Sequence, residues 1–147
     1  MKFSLGKIKS ALNKNPESQK IKDSDYLEKL KTIIKDKPFA ESEQNIVFTG
    51  MKELAGYFYF RVVIVGKFKL KTFNGAKLTI GCTHSELVLN SDMNELESDF
   101  GPISNSYITP IDFEIEKKQI EQLNNSKIES IRVDAKKKNV TFTSNKA

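Results

Sequence analysis

From Phe58 onward the even positions Phe58, Phe60, Val62, Ile64, Gly66, Phe68, Leu70 and Thr72 form an almost unbroken apolar face, while Tyr57, Tyr59, Arg61, Lys67, Lys69 and Lys71 occupy the other. Alternation over this length predicts strand rather than helix. A reversal at Gly66-Lys67 would set Ile64 opposite Lys69 and mix the faces, so the pattern predicts one long strand, bent or bulged at Gly66. The turn then falls at Phe73-Asn74-Gly75. A two-residue Asn74-Gly75 turn would put Leu78 and Ile80 on the lysine face. A three-residue loop with Gly75 left-handed pairs Thr72 with Ala76, Leu70 with Leu78, Phe68 with Ile80 and Gly66 with Cys82, which takes Cys82 into the core.

Shorter signals surround this stretch. Asp25, with Glu28 three residues on as its capping-box partner, opens a helix that carries Tyr26, Leu27, Leu30, Ile33 and Ile34 at helical spacing, and Pro38 closes it near Asp36. Residues 13–20 are polar, contain Pro16 and lack apolar periodicity, which predicts a linker behind a basic arm over 1–22 and places a single β-rich domain at 23–147. Strands are expected at Ile46–Thr49 and Glu86–Leu89. Another carries Tyr107, Thr109, Ile111, Phe113 and Ile115 on one face, with Pro110 opposite marking an edge or a bulge. A short helix from Lys117 to Asn124 carries Ile120 and Leu123, and a terminal hairpin joins Ile131, Val133 and Ala135 to Val140–Thr143 through Lys136–Asn139. The fold class is therefore α+β, mainly antiparallel β: about seven strands in a sandwich-like or curled sheet, with an N-terminal helix and one short late helix.

Charge is distributed unevenly. The 147 residues carry a net +5, but residues 82–116 hold eight acids and no Lys or Arg, a local −8 set between basic flanks. Such zoning orients a charged partner. A single cysteine permits no internal disulfide and no zinc cage, and no apolar run approaches the roughly 20 residues of a spanning helix. No secretory leader is legible at the N-terminus either, and the reading favours a cytoplasmic location.

The motifs of catalysis are missing. There is no GxGxxG, no GxxxxGK[ST] and no GxSxG. Cys82 and His84 stand two apart, but i and i+2 of a strand do not by themselves make a nucleophile and base, and no carboxylate is placed to orient the imidazole. The acidic run Asp92–Asp99 departs from a calcium loop, with Leu96 where a ligand belongs and no glycine at the turn. Neither a catalytic residue, nor a cofactor, nor a metal is assigned, and the chain is expected not to be an enzyme.

What is left is a non-catalytic binding module that contacts another protein through a sheet face or edge. Tyr57, Tyr59 and Arg61, types enriched at interface hot spots, are the candidate contacts, together with the acids Glu95, Glu97 and Asp99. The alternative is a polyanion, nucleic acid or an anionic membrane surface, held by Lys67, Lys69 and Lys71. The basic arm, with Lys2, Lys7, Lys9 and Lys14 among Phe3, Leu5, Ile8 and Leu12, would add peripheral contact with an anionic lipid surface.

Overall fold

The protein is described by a computed structural model covering residues 16–144, with side chains from Asp25 onward. The elements in chain order are α1 (Pro16–Ile33), β1 (Ala40–Glu41), β2 (Asn45–Leu54), β3 (Tyr57–Gly66), β4 (Lys71–Thr72), β5 (Lys77–Cys82) and β6 (Glu86–Asn90). They continue with β7 (Leu96–Glu97), β8 (Asp99–Phe100), β9 (Tyr107–Ile115), α2 (Lys117–Asn124), β10 (Ile128–Ala135) and β11 (Lys138–Ser144). Nine strands form one sheet in the order β6-β5-β10-β11-β1-β2-β3-β9-β8, every neighbouring pair antiparallel; β4 and β7 make a separate two-residue ladder.

The sheet curls until its flanks touch. Ser91, just past β6, bridges Phe113 of β9, and the Asp92 N–H donates to the Asp112 carbonyl at 3.0 Å. Each long strand turns its alternate apolar residues inward: Phe60, Val62 and Ile64 from β3, Leu78 and Ile80 from β5, Ile131 and Val133 from β10, Ile111 and Phe113 from β9. These form one continuous core. At one end Leu123 and Ile120 of α2 pack against it; at the other, the crossing segment after β3 inserts Phe68 and Leu70. Outside the curl, α1 lays Leu27 and Leu30 on Ile46 and Val65. A leucine buried this completely stabilises by about 1.5–3 kcal/mol.

Mainly antiparallel β with two helices is the architecture anticipated, and the curled sheet, not a pair of stacked sheets, is how it is realised. Several details differ. The long strand ends at Gly66, where φ is 154° and a Cβ would stand 2.2 Å from the Gln44 carbonyl oxygen. From there the chain leaves the sheet, and the Phe68 N–H donates to Asn45 Oδ1 at 2.9 Å. The expected pairing of residues 66–72 with 76–82 is absent: β5 lies between β6 and β10, and β4 pairs with β7. Alternation survives the break because Phe68 and Leu70 face inward while crossing the barrel end, so the side-chain phase reports burial rather than strand pairing. Cys82 is nonetheless buried, and Gly75 holds the left-handed conformation, φ 76°.

The helix begins at Pro16, not Asp25. Proline suits a first helical position, where its missing N–H would have no partner, and a helical turn without an apolar stripe reads as linker. Residues expected as linker and arm from 16 to 22 thus belong to α1. The arm's remaining residues, 1–15, with the lipid-surface contact assigned to them, lie outside the described residues. Among the described residues no helix is long and apolar enough to cross a membrane.

A candidate partner site at the seam of the curled sheet

The flanks of the sheet meet at Ser91–Phe113 and then diverge toward the α2 end. Backbone phase decides which groups face this opening. The Cys82 N–H donates to the Ser85 carbonyl and the Ser91 N–H to the Ala76 carbonyl, so along the β5–β6 ladder Leu87 and Leu89 spend their backbone groups on β5. Those of Glu86, Val88 and Asn90 point the other way. Beyond the bridge, no strand among the described residues pairs with this outer edge of β6. Phase on β9 is set the same way: Asp112 turns its carbonyl outward to Asp92, and Pro110, without an N–H, occupies the same outward phase where β8 has ended.

The divergence opens a cleft of about 380 Å³. Tyr57, Phe58 and Tyr59 of β3 contribute one wall and Val88, Leu89 and Asn90 of β6 another; Glu114 and Ile115 of β9 and Glu116 and Gln119 at the start of α2 complete it. Antiparallel register places Tyr59 beside Glu114, and on its other side beside Lys52. The Glu116 N–H donates to Gln119 Oε1 at 2.8 Å, which fixes the first turn of α2 and ends β9 at the cleft. Tyr57 and Val88 are 69% and 47% exposed, large apolar surface left uncovered on both sides of one opening. Among the described residues no Lys or Arg lines the cleft; the bases nearest in register, Lys52 and Arg61, both point to Asp112, at 3.1 and 3.4 Å.

The expected contact set is therefore divided. Tyr57 and Tyr59 line the cleft, and Arg61 lies one pair further along β3, bound to Asp112. Glu95, Glu97 and Asp99 sit in and around β7 and β8, which lie with the crossing segment and the start of β9 at the opposite end of the curl, Glu97 directly across from Lys71. Of the lysines, Lys67 and Lys69 hold their ammonium groups over the rings of Tyr26 and Tyr107, at 4.6 and 5.2 Å. They do not share a strand face with Tyr57 and Tyr59, because β3 ends before them. Val88, Glu114, Glu116 and Gln119 were not singled out from sequence. Val88 carried a signal: an exposed-phase valine between the buried Leu87 and Leu89, flanked by Glu86 and Asn90.

His84 is exposed in the β5–β6 turn and Cys82 buried; among the described residues no group of three or more His, Cys, Asp or Glu is arranged to hold a metal. The structure thus combines an antiparallel β fold with a lateral cleft between strand edges. The chain matches no family model, no curated protein and no solved structure.

Proposed function

We propose that the protein is a non-catalytic protein-binding module that receives an extended segment of its partner along the open edge of β6. The observation that carries this reading is the outward backbone of Glu86 and Val88 at a cleft walled by Tyr57 and Tyr59. An incoming strand gains main-chain hydrogen bonds from such an edge and side-chain specificity from the walls. Tyrosine adds rigid amphipathic contact area at small entropic cost. At about 380 Å³ the cleft lies at the low end of the roughly 300–1,000 Å³ of small-molecule pockets, and one wall is strand edge, which suits alternate side chains of a peptide.

Val88→Pro tests it. The substitution removes an N–H that the β5 ladder does not use, so the fold should persist while strand addition is blocked. Peptides selected from a displayed random library on the full chain should bind the variant at least about tenfold more weakly, about 1.4 kcal/mol. Peptides that bind both proteins equally would overturn the reading.

One observation favours a second reading at the opposite end of the curl. Lys136 and Lys138, at the β10–β11 turn, donate to the backbone carbonyls of Lys71 and Lys69, so two lysine-rich stretches remote in sequence converge there. This supports polyanion binding, with Glu97 beside Lys71 opposing it. A single-stranded oligonucleotide bound by this surface should lose affinity steeply between 50 and 200 mM salt and on Lys136→Glu with Lys138→Glu.

A further inference from the structure

Resting on the seam as the partner site, we infer that the segment bound there is cationic, placing an arginine or lysine side chain over Glu114, Glu116 and the neighbouring rings of Tyr57 and Tyr59. Three features of the cleft converge on a cation. Among the described residues its lining carries two carboxylates and no base, in a chain whose net charge is +5. Glu86 adds a third carboxylate, next along the same outward phase of β6. Among the described residues none of the three makes an ion pair, although the Glu116 side chain accepts the Gln119 backbone N–H in the capping box of α2, whereas Asp112, two residues before Glu114 on β9, holds both Lys52 and Arg61.

The tyrosines supply a surface that a carboxylate alone lacks. A cation within about 6 Å of an aromatic face is attracted to it. This chain uses that pairing twice elsewhere, Lys67 over Tyr26 and Lys69 over Tyr107. In the cleft the rings of Tyr57 and Tyr59 have no such partner among the described residues. An extended segment paired with β6 sends every second side chain to the same side. One cation at the level of Tyr59 and Glu114 then has a small apolar neighbour two positions away, at the level of Val88.

The experiment uses three labelled nonapeptides of one alternating Val/Thr host, with Arg, Gln or Glu at the centre, titrated against the full chain by fluorescence anisotropy. The Arg peptide should bind at least tenfold more tightly than the Gln peptide, and the Glu peptide more weakly than either. In the Glu114→Gln, Glu116→Gln double variant the Arg advantage should fall to threefold or less with the Gln peptide unchanged, and Tyr57→Ala, on an exposed side chain, should also reduce it. Val88→Pro should weaken Arg and Gln peptides alike. Equal affinities for the three peptides, all lost in Val88→Pro, would overturn the cationic inference and leave the seam intact as a strand-binding edge. Affinities that Val88→Pro leaves untouched would overturn both, as would no binding of the Arg peptide at millimolar concentration. A full chain that sediments as a dimer, and as a monomer when Val88→Pro, would assign the edge to a second copy and overturn the proposal.

Discussion

Gly66→Ala is the substitution on which the architecture depends most directly. At Gly66 the backbone has φ 154°, a conformation open almost only to glycine, and holding alanine there costs about 1–3 kcal/mol. A Cβ would also stand 2.2 Å from the Gln44 carbonyl oxygen and 2.7 Å from the Asn45 Cα. Both are backbone atoms of the chain entering β2, the strand paired with β3 at Asn45↔Gly66, so no side chain can rotate to make room. Relief requires shifting Asn45, whose Oδ1 accepts the buried Phe68 N–H. Leaving that donor unpaired costs about 1–3 kcal/mol more. The sum is roughly 2–6 kcal/mol, a large part of the ~5–15 kcal/mol available to a domain. At roughly 3 °C per kcal/mol for a chain of this size, Tm should fall by about 6–18 °C. Gly50→Ala is the internal control: it lies in β2 with nothing within 4 Å of its would-be Cβ, and should change stability by less than about 1 kcal/mol. Urea unfolding followed by circular dichroism reads both variants. A Gly66→Ala protein within about 1 kcal/mol of the parent would refute the argument that this close approach turns the chain across the barrel end.

Leu30→Ala, at a fully buried side chain beneath α1, should cost about 2–5 kcal/mol in the same urea assay; a cost below 1 kcal/mol would mean the helix is not docked on Ile46 and Val65. Raising the pH should also weaken this docking. Burial raises the Tyr26 hydroxyl above its ordinary 10.0, and the hydrogen bond to Glu41 raises Lys31 above 10.5. Both groups therefore hold their protons more tightly when folded. Their contribution is fully present below the unfolded values and is lost as pH rises through the folded ones. Thermal melts should be flat up to pH 10.0 and decline above it, more shallowly in Tyr26→Phe; an identical decline in that variant would remove Tyr26 from the account. Cys82, 9% exposed, should react with an aromatic disulfide reagent only as fast as urea unfolds the chain, and rapid labelling of the folded protein would contradict its place in the core.

The sequence is most legible where burial and strand period coincide. Strand β9 and helix α2 have the boundaries that alternation and helical spacing predict, and Pro110 stands on the outward edge where a missing N–H leaves no gap in a ladder. Residues 67–70 show where the same signal misleads. They keep the alternation of β3 because Phe68 and Leu70 close the core, yet among the described residues they pair with no strand. Alternation is a statement about which side chains meet water, and a crossing segment obeys it as faithfully as a strand. The acidic run from Asp92 to Asp99 fails for the opposite reason: β7 and β8 are two residues each, too short for any period to register.

The candidate site lies beyond the reach of periodicity, because it arises from closure. Tyr57 and Tyr59 were legible as an exposed aromatic pair, but Val88 and Glu114 become their neighbours only when the first and eighth strands of the sheet approach each other around the core. Nothing local in Glu86–Asn90 or Tyr107–Ile115 encodes that approach. The contact that brings the flanks together among the described residues is the Ser91–Phe113 bridge with its Asp92–Asp112 hydrogen bond, and Phe113 is fully buried beneath it. A sheet that closed with a full ladder would leave no edge to receive a strand, and one that stayed open would separate Tyr59 from Val88. Closure through the Ser91–Phe113 bridge brings the walls of the cleft together while leaving the backbone of Val88, among the described residues, outside any ladder on that side.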